Sequence, residues 1–197
     1  MPSLLISRNT IHPEENYWFI FLDICNFFEK VLFYTIQNNP FMKIEKGQKA
    51  PGFTLFDSEK KKVSLEDQKG QNVLILFFPL AFTSTCTAEL CSVRDNIALY
   101  NGMNARVFGI SVDSLYTLAK YKEEQHLNFP LLSDFNKEVS TAYDSLYAQF
   151  GYEMKGVSKR AAFVIDKDGI VRYNEVLENA SEQPDFTAIK KTLQELS

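Results

Sequence analysis

The run VLILFF, residues 73–78, is apolar at every position. A strand with one face in water alternates apolar and polar residues, so an unbroken run belongs to a strand covered on both faces, in a sheet sandwiched between helices. RVFGISVD (106–113) repeats the signature. Between the two, Leu90, Val93, Ile97 and Ala98 recur at helical spacing, which predicts a helix over 85–100 closed by Asn101-Gly102. FTLFD (53–57) reads as a strand, followed by a polar turn at 58–62 and a helical turn opened by Ser64. Beyond 113, the spacing predicts a charged surface helix (114–127) ended by Pro130, an extended FPLLSD and a helix over 136–146. AAFVID and IVRYNEV flank Lys167-Asp168-Gly169, a hairpin signal, and a last helix covers 184–196. Two parallel-type units, a hairpin and a terminal helix make an α/β chain with a mixed central sheet flanked by helices, an arrangement compatible with a thioredoxin-like fold.

Residues 1–41 stand apart from this pattern. They hold nine aromatic residues, and NYWFIFLDICNFFEKVLFYTIQ is nearly continuous apolar material. Asp23, Glu29 and Lys30 interrupt it, so it provides no transmembrane segment of about 18 uncharged residues. No basic region adjoins it and no small-residue cleavage site follows it, as a secretory signal requires. Asn16, Asp23, Lys30 and Gln37 recur every seven residues and would line a narrow polar stripe on one helix. Such a helix docks on the protein or a partner, or lies on a membrane surface; the preferred reading is a dispensable extension, with Met42 opening the domain 42–197. Cys25 then has no redox role.

The net charge is −4 and no Lys/Arg-rich block occurs, which argues against nucleic-acid binding. Three cysteines, two of them five residues apart, do not make a secreted disulfide framework. The pattern fits a reducing, cytoplasmic setting. Cys86 follows the strand 73–78 through Pro79-Leu80-Ala81-Phe82 and the helix-capping residues Thr83, Ser84 and Thr85, so it falls in the first turn of a helix. Unpaired backbone N–H groups and the positive end of the helix dipole favour a thiolate there. Cysteine alone, without that position, is more often a small core residue. A structural zinc site needs four ligands, and the only histidines, His12 and His126, lie far from the cysteine pair, so no metal is expected.

Pro79-x-x-x-Thr83-x-x-Cys86 after a buried strand resembles the active-site motif of the peroxiredoxins, the alkyl hydroperoxide reductase and thiol-specific antioxidant family. The likeness runs from about Lys43 to Leu196 and includes KGQKAPGF, PLLSD and Arg160 before AAFVIDKDG. FFPLAFT is most similar to the alkyl hydroperoxide reductase E type, whereas a second cysteine five residues on is similar to the Q, or bacterioferritin comigratory, type. The resemblance implies a thioredoxin-like fold and a thiol-dependent peroxidase without cofactor, acting on hydrogen peroxide and organic hydroperoxides with thioredoxin or a similar dithiol as reductant. The E type implies a homodimer, the Q type a monomer.

By the same resemblance, Cys86 is the peroxidatic cysteine, whose thiolate becomes a sulfenic acid. Thr83 and Arg160 contact the thiolate and the peroxide oxygens, and Pro79 shields the thiolate. Glu89, three residues after Cys86, shares its helical face; it orients Arg160 or relays a proton, or is an exposed first-turn acid. Cα atoms five apart on a helix are about 8 to 9 Å distant, beyond the roughly 7 Å reach of a disulfide. A Cys86–Cys91 bond therefore requires unwinding, and resemblance to the Q type implies it, with Cys91 as the resolving residue. Otherwise Cys91 fills the core and an external thiol reduces Cys86. Two rivals remain: a thiol-disulfide oxidoreductase of the same fold, expected to carry Cys-x-x-Cys where four residues intervene here, and a non-catalytic thioredoxin-like binding module.

Overall fold

A computed structural model describes residues 43–197; both readings of the segment 1–41, and Cys25, fall outside the described residues. In chain order the strands are β1 (Thr54–Asp57), β2 (Lys62–Ser64), β3 (Asn72–Phe77), β4 (Ala105–Ser111), β5 (Leu131–Ser133), β6 (Arg160–Ile165) and β7 (Val171–Leu177). The helices are α1 (Ser84–Asp95), α2 (Ile97–Gly102), α3 (Leu115–Glu124), α4 (Glu138–Ala142) and α5 (Phe186–Glu195). One seven-stranded sheet has the order β2-β1-β5-β4-β3-β6-β7. The pairs β3–β4 and β4–β5 are parallel, and all others are antiparallel, so the sheet is mixed as expected.

The reason VLILFF tolerates no polar residue is now visible. Leu74, Leu76 and Phe78 enter one core with Cys86, Leu90, Val93 and Leu193, while Val73, Ile75 and Phe77 enter another with Phe108, Tyr143 and Phe163. The two-residue period of the strand thus feeds two cores, one on each face of the sheet.

Four expectations need correction. The helix predicted over 85–100 is two helices, broken at Asn96, whose Nδ2 donates to the Ser92 carbonyl at 2.8 Å; this side chain competes with the backbone for its own carbonyls. Pro130 ends no helix, since α3 stops at Glu124 and His126 turns left-handed with φ 51°. The helix over 136–146 shrinks to five residues, because Asp144 takes φ 48° and the Ser145 amide bonds back to Ser140. Lys62–Ser64, which begins at the last residue of the predicted turn, is a strand paired with β1, and the turn opened by Ser64 is the short 3-10 segment Glu66–Gln68.

The topology brings distant residues to one place. The chain leaves β3 at Phe77 and, after six intervening residues, enters α1 at Ser84. Strand β6 runs antiparallel beside β3 with Ala161 opposite Phe77, so its first residue, Arg160, lies at the end of β3 where Pro79 and the cysteine loop begin.

Candidate active site

Thr83 occupies the N-cap position of α1 with extended backbone (φ −85°, ψ 149°), and its side chain makes no capping hydrogen bond. Its hydroxyl donates instead to the Leu80 carbonyl at 2.9 Å. The first intrahelical bond runs from the Thr87 amide to the Thr83 carbonyl, so the amides of the turn holding Cys86 lie where a helix has no internal acceptors for them. Cys86 is buried, only 1% exposed.

Arg160 crosses 74 residues of sequence to reach this turn, and its Nη2 donates to Cys86 Sγ at 3.4 Å. Nη1 donates to Glu89 Oε2, forming an ion pair with both side chains almost wholly out of solvent. Nε and Nη2 both donate to the Ala180 carbonyl, at 3.3 and 3.0 Å. A buried guanidinium needs partners for a planar fork of donors, and here a thiol sulfur, a carboxylate and a carbonyl supply them. Burial works against its charge, yet Glu89 and then Cys86 hold Arg160 above its ordinary pKa.

Glu89 settles on the buried side of its two readings. It is fully enclosed, and its Oε1 has no hydrogen-bond partner among the described residues. Burial pushes its carboxyl up from 4.5 to about 7, while the charge and hydrogen bond of Arg160 pull it partly back. One guanidinium thus serves both Glu89 and Cys86.

The sign of that shift has a consequence for stability. A carboxyl raised in the folded state contributes its stability fully below about 4.5 and loses it as pH rises through about 7. Glu89→Gln keeps an acceptor for Arg160 and removes the titration. The wild type should therefore lose stability relative to this variant between about pH 5 and pH 8, on the order of 3 kcal/mol. Urea unfolding of both proteins across that range measures it.

Pro79, at the exit of β3, is buried. The loop it opens is held by a residue that sequence reasoning passed over. Asp113 Oδ2 accepts from the Ala81 amide at 2.7 Å and from the Ser111 hydroxyl at 2.9 Å, and that hydroxyl also approaches the Pro79 carbonyl at 3.4 Å. Asp113 ends the stretch RVFGISVD, where it reads as an ordinary strand terminator. The Ala180 carbonyl was missed for a plainer reason, as a backbone acceptor leaves no mark in a sequence.

On the neighbouring face, the Tyr121 hydroxyl donates to Thr87 Oγ1 at 3.0 Å, and the Phe82 ring packs edge-on against Tyr121 with centroids 5.0 Å apart. Burial pushes the Tyr121 phenol up to about 12, so it acts there as a neutral donor. Cys91 is half-buried on the same helix as Cys86, and both thiols are free. Because α1 is continuous from Ser84 to Asp95, the two cysteines meet only if its first turns unwind. His126 is exposed. Among the described residues no group of three or more His, Cys, Asp and Glu side chains is gathered as a metal site requires, and no helix is long and apolar enough to cross a membrane.

Comparison with known proteins bears on the same region. The AhpC/TSA family model matches residues 46–174. Peroxiredoxin Bcp of Bacillus subtilis is 38% identical over 130 residues, spanning 65% of this chain and 82% of its own. Alkyl hydroperoxide reductase E of Mycobacterium bovis is also 38% identical, over 133 residues, spanning 66% of this chain and 84% of its own. The crystal structure of Peroxidoxin BcpB from Mycobacterium tuberculosis superposes with a TM-score of 0.70 at 26% identity, covering 78% of this chain and 99% of that one. A peroxiredoxin-like protein from Aquifex aeolicus, at 22% identity and a TM-score of 0.71 over 79% of this chain and 90% of its own, shares the fold. With relatives of both the Bcp and the E type matched at one level of identity and the thioredoxin-like fold common to the solved structures, the chain belongs to the AhpC/TSA family, the thiol-dependent peroxidases known as peroxiredoxins.

Proposed function

We propose that Cys86 is the residue oxidised by the hydroperoxide and that Arg160, Thr83 and Pro79 form the rest of the reaction centre. The observation that carries this reading is the donation of buried Arg160 to Cys86 Sγ. The thiolate attacks the terminal peroxide oxygen; an S–O bond forms, the O–O bond breaks, and the departing oxygen takes a proton and leaves as water or alcohol. Arg160 holds the thiolate before attack, and its fixed donors lie where negative charge passes to the peroxide oxygens. The Thr83 hydroxyl commits its proton to Leu80, which leaves its oxygen free to accept the O–H of an incoming hydroperoxide. Pro79, at the start of the loop, shields the thiolate with no donor of its own. Glu89 positions Arg160 and shares its charge.

As a peroxiredoxin, the protein takes a hydroperoxide as oxidant and a thiol as reductant. In the finer reading, Cys91 resolves the Cys86 sulfenic acid as an intramolecular disulfide, which a dithiol protein such as thioredoxin then reduces. A half-exposed thiol on the same helix supports it, and the cost is unwinding. Cys91→Ser is expected to oxidise Cys86 at the wild-type rate but to stop cycling when thioredoxin is the sole reductant. Normal cycling of that variant, measured by coupled NADPH oxidation, would remove Cys91 from the mechanism.

The Asp113 clamp on the loop leads to a further expectation. Asp113→Ala frees the Ala81 amide and should slow Cys86 oxidation about tenfold to a hundredfold, the scale of a misplaced reacting group. Asp113→Asn keeps an acceptor for that amide and should retain most of the rate. Stopped-flow peroxide consumption distinguishes the two.

A further inference from the structure

The two halves of α1 are held by different neighbours. On the Cys86 half, Thr87 accepts from Tyr121, while Cys86 and Glu89 accept from Arg160. These are the turns that must unwind to bring the cysteines together. On the Cys91 half, the thiol donates to Gln125 Oε1 at 3.8 Å, and Gln125 is the residue that caps α3. Arg94, almost one turn beyond Cys91, donates from Nη1 to the Gln125 backbone carbonyl at 2.6 Å. Asp95 holds the Nε of the same guanidinium at 2.8 Å, and Asn128 Nδ2 donates back to the Arg94 carbonyl at 3.1 Å. Two polar side chains after α3 and the Gln125 carbonyl thus grip the turn that carries Cys91 and Arg94. The grip puts a fixed cation and the Cys91 thiol on one residue, Gln125.

We propose that Arg94 is a positioning residue for the resolution step: through Gln125 it keeps Cys91 in place while the Cys86 half of the helix unwinds. The inference rests on the reading of Cys91 as the resolving cysteine. In that step the Cys91 thiolate attacks the sulfur of the Cys86 sulfenic acid. The S–S bond forms, the S–O bond breaks, and the departing hydroxide takes up the proton released by the Cys91 thiol and leaves as water. Cys91 is oxidised and the sulfenic sulfur is reduced to the disulfide level, so no further reagent is needed. Gln125 serves both protonation states of Cys91. Its Oε1 accepts from the thiol, and after an amide flip its Nε2 donates to the thiolate. The hydrogen bond to Asp95 holds the Arg94 guanidinium above its ordinary pKa and keeps it cationic beside Gln125.

The test separates the two chemical steps in the full chain. Wild type, Arg94→Gln, Arg94→Lys and Cys91→Ser are mixed with one equivalent of hydrogen peroxide and quenched at timed intervals. Sulfenic acid is trapped with dimedone, and disulfide is quantified by mass spectrometry. Arg94→Gln is expected to oxidise Cys86 within about twofold of wild type and to form the disulfide about fivefold more slowly, the scale of one hydrogen bond made by a charged group. Arg94→Lys, which keeps a charged donor for the Gln125 carbonyl, should recover at least half of that loss. Disulfide formation at the wild-type rate in Arg94→Gln, equal slowing of both steps, or no gain from lysine overturns the role of Arg94. A wild type that accumulates sulfenic acid and never forms the disulfide overturns the reading of Cys91 itself, and the inference with it.

Discussion

Replacing Arg160 with methionine is expected to slow oxidation of Cys86 by about a hundredfold to a thousandfold, the usual cost of removing one preorganised donor from a buried reaction centre. Methionine fills part of the volume but offers no donor to Cys86 Sγ, to Glu89 or to the Ala180 carbonyl, all of which Arg160 now serves. Stability should fall as well, on the order of 3 kcal/mol above neutral pH, because Glu89 is left as a buried carboxylate without its cation. The two effects can be separated. Adding Glu89→Gln to the methionine variant removes the unpaired charge, so it should recover most of the stability and none of the rate. Arg160→Lys keeps a cation yet loses the planar fork, and it should fall between wild type and methionine in rate. Stopped-flow peroxide consumption and urea unfolding on the same four proteins provide both axes.

Cys86→Ser is expected to lose peroxide turnover altogether while folding as the wild type does. A serine hydroxyl stays protonated near neutral pH and is a poor nucleophile towards peroxide oxygen. Its oxygen still accepts from Arg160 Nη2 in the same small, buried site among Leu90 and Phe78. The stability change should therefore stay within about 1 kcal/mol. A variant that retained turnover would place the chemistry at another residue. One that failed to fold would show that the thiol is needed for packing rather than for reaction.

The parts of the fold that could be read from the sequence were those in which one residue pattern admits one environment. VLILFF required two covered faces, and the structure gives it a separate core on each. Lys167-Asp168-Gly169 required a hairpin, and β6 and β7 pair across it. The break at Asn96 could not be read, because Ile97 and Ala98 continue the helical spacing through it and the deciding interaction is one side-chain bond to Ser92. At the site, the sequence suggested which residues to bring together and said little of how they are held. The spacing of Glu89 from Cys86 defined a shared face without saying whether that face was wet or buried, and the answer changes an exposed acid into a partner of Arg160. The motif marks Thr83 as a hydroxyl near the thiol, but not that its proton is committed to the Leu80 carbonyl, which leaves its oxygen as an acceptor. Asp113 and Ala180 act through backbone groups, a kind of contact that residue type does not announce.

The mechanism turns on which sulfur meets the peroxide. Cys91→Ser, reduced and mixed with one equivalent of hydrogen peroxide, is quenched with dimedone within the first turnover and digested for mass spectrometry. The mechanism requires one dimedone adduct per chain, on the peptide carrying Cys86, and no adduct when Arg160→Met is treated for the same short time. An adduct at Cys25, or peroxide consumed with Cys86 recovered as an unmodified thiol, contradicts it.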